Sequence, residues 1–172
     1  MKNNQFKILF FLFFLICFNN SYSIANEDFN FNVTEVEILE NGNKFYGKKG
    51  GIATTPDGLF IKGDEFEYDK ISNILIVKGK IKFDDERDNF KIFADKATYI
   101  KNNERIYTQG NSKAVNDVDK IYLEADEFDY DKLSNILIAK GKVKFDDKFE
   151  KIQIFSDKAT YSKNKEIIFT EG

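Results

Sequence analysis

Hydrophobic and polar residues alternate strictly along two nine-residue stretches, 75–83 and 137–145. One face of each stretch is apolar around a central glycine, whereas the other face carries three lysines beside an isoleucine. A period of two over nine residues predicts half-buried β-strands. The large apolar residues of the two faces are Leu75, Val77, Ile81, Phe83, Leu137, Val143 and Phe145.

The strand pattern belongs to a repeat with a fixed period. An aspartate recurs at positions 64, 95, 126 and 157, and a glycine recurs at positions 79, 110, 141 and 172. The segments 63–110 and 125–172 align without a gap and are identical at 31 of 48 positions. Such self-similarity indicates a repeat architecture. The chain therefore contains two-strand units of about 31 residues, and residues 26–62 are a weaker copy of the same unit.

The alternation changes parity once in every unit. Ile121 and Leu123 share one face, whereas Phe128 and Tyr130 have the opposite parity, and the change falls at Asp126. A one-residue shift predicts a β-bulge or a strand corner, and the recurrent glycine is a second candidate bend. Long antiparallel strands that bend at fixed positions predict an all-β fold, either a jelly roll or a β-solenoid.

Composition narrows the possible functions. Charged residues make up 32% and aromatic residues 16% of the 172 residues, which is too apolar for a disordered chain. The net charge of −3 is spread along the chain, so no clustered basic face for nucleic acid is expected. The sequence has no histidine and a single cysteine, Cys17. We therefore expect no disulfide framework and no thiol chemistry, and the usual base at neutral pH is missing.

The first 25 residues have the features of a secretory signal peptide. Lys2 and Lys7 precede an apolar run over 8–18, and Ser23 and Ala25 are small residues at a cleavage position. A membrane anchor would need about 20 apolar residues. Lipid attachment at Cys17 is disfavoured because lipoprotein processing requires a small residue where this chain has an isoleucine. We expect cleavage after residue 25, export, and a folded domain over 26–172.

Polar clusters of the repeat offer little chemistry. The four repeated aspartates lie one unit apart and lack a calcium-loop motif, so we interpret them as carboxylates that accept N–H groups of bulges or turns. The acidic groups 84–86 and 146–147 follow strands and are interpreted as solvated turns. The lysine rows of 78–82 and 140–144 either contact anionic lipid phosphates or form the wet face of a sheet. No catalytic residue, metal site or cofactor is predicted.

The apolar faces leave two interpretations open. They mix large side chains with small ones, as in Phe145 beside Ala139 and Gly141. One interpretation is an ordinary packed core. The other is a pair of sheets that does not close fully and leaves a groove for lipid chains. Composition and periodicity favour neither.

Two segments carry a resemblance to a known family. Residues 125–132 read Ala-Asp-Glu-Phe-Asp-Tyr-Asp-Lys, and residues 135–144 read Asn-Ile-Leu-Ile-Ala-Lys-Gly-Lys-Val-Lys. This repeated figure resembles the OstA-like family, which comprises lipopolysaccharide-transport bridge proteins and the N-terminal domain of the outer-membrane lipopolysaccharide-assembly subunit. The resemblance covers residues 31–172. It implies an open antiparallel β-jelly roll in the periplasm, without enzymatic activity, that works with transport components of the inner and outer membranes.

The family holds lipid acyl chains between its sheets, which implies a set of lipid-facing positions here. Alternating apolar residues identify that set as Leu75, Val77, Ile81, Phe83, Leu123, Leu137, Val143, Phe145 and Ile154. Residues 26–172 contain no cysteine, which favours a stand-alone bridge over a fragment of the assembly subunit. A purely structural periplasmic repeat protein with a dry core is the alternative of another class.

Partner binding is expected at the terminal strands. The last strand carries three consecutive apolar residues and lacks the proline or lysine that protects an edge. The expected partners are lipopolysaccharide and other jelly-roll proteins of the transport system, joined head to tail by strand pairing, and self-association is possible. The predicted edge residues are Phe29, Phe31 and Val33 at one end and Ile167, Ile168 and Phe169 at the other.

Overall fold

The computed structural model describes residues 29–85 and 89–172, so the expected signal peptide lies outside the described residues. Nothing in these two ranges forms a helix that could cross a membrane. The strands are β1 (Asn30–Leu39), β2 (Lys44–Thr54), β3 (Leu59–Gly63), β4 (Glu65–Asp69), β5 (Ile74–Asp85), β6 (Phe90–Ile100), β7 (Arg105–Asn116), β8 (Ile121–Asp131), β9 (Ile136–Asp147), β10 (Ile152–Ser162) and β11 (Ile167–Glu171). Short 3-10 turns follow β1 (Glu40–Gly42), β6 (Lys101–Asn103) and β10 (Lys163–Lys165).

All strands belong to one antiparallel sheet in which sequence neighbours pair. β3 and β4 are two halves of one bent strand: β3 pairs with the second half of β5 and β4 with the first half. β1 and β11 form the two edges of the sheet in the described part of the chain. The predicted all-β antiparallel fold with two-strand repeats is therefore confirmed.

Each long strand bends where the parity change predicts. In β9 the backbone of Gly141 and Lys142 is left-handed, with φ of 75° and 50°, and the two residues lie opposite the bend at Asp126 of β8. Gly79 and Gly110 have the same conformation, with φ of 75° and 77°. A Cβ on Gly141 would lie 2.5 Å from Asp126 Oδ2. The recurrent aspartate and glycine thus form one corner, and only glycine fits it without strain.

The repeated aspartate takes part in the corner through its main chain. The N–H of Asp64 donates to the carbonyl oxygens of both Lys78 and Gly79, each at 3.0 Å. Its carboxylate lies against Gly79 and, at 4.0 Å, near Lys80. The described contacts place the backbone of Asp64, more than its side chain, in the bulge hydrogen bonds.

The bend folds the sheet onto itself, so that its two halves enclose the core. Phe83, from the second half of β5, packs edge-on against Tyr99, from the other half of the sheet, with ring centroids 6.4 Å apart. Phe145 and Tyr161 repeat this pairing at 6.0 Å. Aromatic pairs at these distances stabilise the interface beyond their burial alone. The bent strands therefore act as two facing layers, as in a jelly roll.

Candidate functional site

The two ends of the folded sheet differ. At the end formed by β1 and β2, Phe31 and Phe45 come from opposite halves of the sheet and stack with ring centroids 4.0 Å apart. Phe29 is buried beside Tyr68, at 4.8 Å between centroids. Aromatic side chains thus close this end.

The opposite end, formed by β9, β10 and β11, is open. A pocket of about 480 Å³ lies between the last strands and the turns at 118–121 and 149–152. Its volume falls in the range of pockets that hold small ligands. Its apolar lining residues are Val118, Ile121, Phe145, Phe149, Ile152, Ile154 and Ile168.

Several apolar side chains around this open end face solvent. Phe149 is 79% exposed and Phe155 is 70% exposed. Ile152, Ile167 and Phe169 are also exposed. Large apolar side chains clustered at one end of a fold indicate a lipid or protein contact surface.

The predicted lipid-facing residues divide between the closed interior and the open end. Eight of them are buried in the core: Leu75, Val77, Ile81, Phe83, Leu123, Leu137, Val143 and Phe145. Ile154 is only partly buried and lines the pocket, where Phe145 forms part of the floor. Lipid contact through the whole set thus stays a prediction. Ile154 and Phe145 are the members of the set that line this pocket in the described part of the chain.

The predicted edge residues also differ in position. Phe31 and Val33 pack against the core beside the buried Phe29, so all three contribute to the closed end. Ile168 lines the open pocket, whereas Phe169 points outward and is 64% exposed. The outer edge of β11 has no paired strand among the described residues.

A buried charge cluster was missed at the sequence level. Lys132 Nζ, in the turn after β8, lies 2.9 Å from Asp85 Oδ2, 3.5 Å from Glu104 Oε2 and 3.7 Å from Asp57 Oδ2. The side chains of Lys132 and Asp85 are each only 6% exposed. The interpretation of 84–86 as a solvated turn is therefore wrong for Asp85, which turns inward while Asp84 pairs with a lysine outside. The same interpretation of 146–147 is wrong for Asp146, which is 7% exposed and accepts a hydrogen bond from Gln153.

Hydrogen bonds and nearby charges favour the ionised forms of Asp57 and Glu104. Burial opposes ionisation of Asp57, but a hydrogen bond with Thr55 and the charges of Lys132 and Lys101 outweigh it and lower the pKa of Asp57 to about 2. Burial likewise opposes ionisation of Glu104, but Lys101, the Tyr99 hydroxyl and Lys132 outweigh it and hold the pKa of Glu104 below its usual range. The Tyr99 hydroxyl donates to Glu104 Oε2 at 2.6 Å.

The wall of the open pocket repeats this acidic constellation. Asp119, Asp147 and Glu166 line the pocket together with Tyr161. Burial, and then the charges of Asp119, Glu166 and Asp147, raise the pKa of Tyr161 to about 12. The internal repeat could have revealed this relation from the sequence, because each of these residues lies 62 positions after a member of the buried cluster. The pocket mouth is therefore negatively charged.

The lysine rows lie on the outside of the sheet, away from the pocket. Lys80 and Lys142 are each 88% exposed at the corners of β5 and β9. Lys82 pairs with Asp84 on the same outer face. Within residues 29–85 and 89–172, no three acidic or sulfur ligands converge as a metal site would require.

Comparison with known proteins shows the fold. No family model matches the sequence, and no curated protein matches it. Among solved structures, the chain is similar to the crystal structure of LptH, the LptA-homologous periplasmic component of the lipopolysaccharide transport device from Pseudomonas aeruginosa. The superposition has a TM-score of 0.58 at 12% identity and covers 66% of this chain and 82% of LptH. The chain thus has an LptA-like β-jelly-roll fold, as the sequence predicts.

Proposed function

We propose that this chain binds the acyl chains of lipopolysaccharide and carries them towards the outer membrane as part of a periplasmic bridge. The observation that supports this function best is the open apolar pocket between β9, β10 and β11. Burial of acyl groups there contributes about 0.8 kcal/mol for each methylene. The LptA-like fold and the OstA-like repeat favour lipopolysaccharide as the lipid that is bound.

The charge of the pocket mouth sets the orientation of the ligand. Asp119, Asp147 and Glu166 repel the phosphates of a lipopolysaccharide headgroup, because like charges in a partly buried site destabilise each other. The acyl chains therefore enter along Ile154 and Ile168 while the headgroup stays in solvent. Such a site acts by binding and transfer rather than by catalysis.

Bridging requires partners at the sheet edges. β11 presents an unpaired outer edge, and β1 presents another at the closed end of the fold. Strand addition would join the jelly rolls of the transport system head to tail, with main-chain hydrogen bonds supplying affinity. The proposed location is the periplasm, reached after removal of residues 1–25.

A second candidate function rests on the closed interior. The eight buried residues of the predicted lipid-facing set pack in the core, and Phe31 stacks on Phe45 at the far end. A structural periplasmic repeat protein with a dry core would have this interior. It would not need the open pocket, so lipid binding at that pocket separates the two functions.

The test is a lipid-binding assay on the chain from residue 26 with purified lipopolysaccharide. Ile154→Asp places a charge in the pocket, and uncompensated burial of that charge costs several kcal/mol. We expect affinity to fall at least about tenfold, which corresponds to about 1.4 kcal/mol. Phe155→Asp, one residue away on the outer face, is the matched control and should bind normally. Equal binding by both variants, or no binding by the unmodified chain, would refute the proposal.

A further inference from the structure

The acidic wall of the open pocket corresponds residue by residue to the buried cluster around Lys132. Asp119, Asp147, Tyr161 and Glu166 each follow a cluster member by 62 positions. The strand registers agree as well: Asp85 pairs with Leu59 in the first unit, and Asp147 pairs with Ile121 in the second. The pocket wall and the buried cluster are thus formed by equivalent residues of two successive repeats.

In the buried copy these residues hold an ammonium group. Lys132 Nζ lies within 3.7 Å of all three carboxylates, and Lys101 Nζ lies 2.7 Å from Glu104 Oε1. The Tyr99 hydroxyl is satisfied by Glu104. Charges buried this deeply are retained only when they are paired.

In the open copy the cation that corresponds to Lys132 is missing from the described residues. None of the ion pairs described within 29–85 and 89–172 involves Asp119, Asp147 or Glu166, although Lys163, the counterpart of Lys101, lies in the turn that Glu166 ends. Tyr161 is only 2% exposed, and its buried hydroxyl has no hydrogen-bond partner among the residues that the structure describes. A buried hydroxyl left unsatisfied costs about 1–3 kcal/mol. An unsatisfied hydroxyl beside three acids indicates a site that is completed from outside.

We propose that this wall receives a lysine or arginine from a partner chain whose strand pairs with β11, in the place that Lys132 fills in the buried copy. The proposal rests on the strand pairing in the proposed function and specifies the chemistry of the partner. The incoming cation offsets the charge of the three acids. It also lets Glu166 accept a hydrogen bond from Tyr161, as Glu104 does from Tyr99.

Strand geometry explains how such a side chain would arrive. In the buried copy β8 pairs with β7 so that Asp131 lies opposite Arg105, and Lys132 follows directly in the turn. β11 corresponds to β7, with Ile167 at the position of Arg105. A partner strand in the register of β8 would therefore carry its next residue onto the acids of the pocket.

Charge complementarity favours a different protein over a second copy of this chain. In the same register, β1 of a second copy would end at Leu39 opposite Ile167 and present Glu40 to the acidic wall. A further acid would be repelled there. The expected partner instead has a basic residue directly after its edge strand.

The experiment uses the chain from residue 26 and a labelled peptide of residues 111–135, which contains β8 and Lys132. Fluorescence anisotropy at about 0.15 M salt measures the affinity of the peptide and of three peptide variants. We expect Lys132→Met to weaken binding at least about tenfold, since loss of one partner of a buried charge pair acts mainly on dissociation. Lys132→Arg should bind within about threefold, because it keeps the charge. Lys120→Met removes an equal charge from the turn before β8 and should change little.

A second variant of the chain isolates the site. Glu166→Gln should weaken binding of the unmodified peptide about tenfold but leave the Lys132→Met peptide unaffected, as coupled partners do in a double-mutant cycle. Binding of all peptides with equal affinity would overturn the lysine site while leaving strand pairing intact. Absence of binding by every peptide would overturn both the site and the proposed edge pairing.

Discussion

Lys132 Nζ lies 2.9 Å from Asp85 Oδ2, although Lys132 belongs to the turn after β8 and Asp85 to the end of β5. The two residues come from opposite ends of the bent strands. Their ion pair therefore fastens the two halves of the folded sheet where they meet, opposite the glycine corners. The apolar core and this charge cluster thus both hold the two halves of the sheet together.

Removal of the lysine should open that part of the fold. Lys132→Met keeps most of the side-chain volume but removes the cation that pairs with Asp85, whereas Glu104 keeps Lys101. Breaking a buried ion pair in this way costs about 3–5 kcal/mol. Urea denaturation at pH 7, followed by circular dichroism, should show a loss of this size. Lys120→Met is the control, since it is an exposed turn lysine, and its effect should stay within about 0.5 kcal/mol. A small effect of Lys132→Met would contradict the role of the cluster.

Acid should weaken the unmodified protein through the same cluster. The pKa of Asp57 is lowered from its usual value of 3.8 to about 2, and the pKa of Glu104 is lowered too. A lowered folded-state pKa stabilises the fold above the unfolded-state pKa, and that stability is lost as pH falls through the folded-state value. Stability should therefore decline between about pH 4 and pH 2.

The Lys132→Met variant should lose less stability in acid than the unmodified chain. Without the charge of Lys132, the pKa values of Asp57 and Glu104 should rise, so these two groups contribute less stability that acid can remove. The gap in unfolding free energy between variant and unmodified chain should narrow as pH falls from about 7 to about 3. Urea titrations at several pH values measure that gap. A gap that stays constant would show that the loss in the variant arises from packing alone.

The glycine corners should tolerate no side chain. Gly141→Ala combines an unfavourable φ of 75° with a Cβ that would lie 2.5 Å from Asp126 Oδ2. Gly58→Ala is the matched control, since Gly58 has φ of 92° and no atom lies within 4 Å of the position that a Cβ would take there. We expect about 1 kcal/mol for Gly58→Ala from the backbone alone. Gly141→Ala should cost about 1–3 kcal/mol more because of the close contact.

The double variant Gly141→Ala, Asp126→Ala separates the two causes. Truncation of the carboxylate removes the close contact but leaves the backbone strain. The additional cost of Gly141→Ala over Gly58→Ala should then largely disappear in thermal denaturation. If it persists, the corner is not defined by the aspartate and glycine pair.

The sequence predicts the bent sheet because the corner has a local cause. The parity change at Asp126 and the glycine at 141 are both visible in the chain, and they meet in the structure as one bulge. The charge cluster has no local cause. Asp57, Asp85 and Lys132 come together only once the turns at both ends of the strands approach each other, and alternation along single strands does not report that distance.

The open end was also beyond prediction from periodicity. Ile154 and Val143 both belong to the predicted lipid-facing set and lie on neighbouring strands, yet Val143 is buried and Ile154 lines the pocket. The difference arises because β11 covers only part of β10. β11 pairs with Lys158 to Ser162 and leaves the half of β10 that contains Ile154 uncovered. Edge position, rather than residue type, decides which apolar residues a ligand can reach.

At high concentration and without a basic partner, the β11 edge should still give weak self-association, because main-chain hydrogen bonds form even where Glu40 of a second copy is repelled. Ile168→Pro should abolish it, since proline removes a ladder donor from the strand. Ile168→Val keeps the donor and should still associate. Light scattering over a range of concentrations distinguishes these outcomes. A chain that stays monomeric at high concentration, or a proline variant that still assembles, would argue against the edge.

Site-specific photo-crosslinking in cells that make lipopolysaccharide tests the central claim most directly. A photoreactive residue at 154 faces the pocket, whereas one at 155 lies on the outer face, where Phe155 is 70% exposed. We predict that position 154 captures lipopolysaccharide and that position 155, although more exposed, does not. Equal capture at both positions, or capture at 155 alone, would contradict a lipid-binding pocket in this protein.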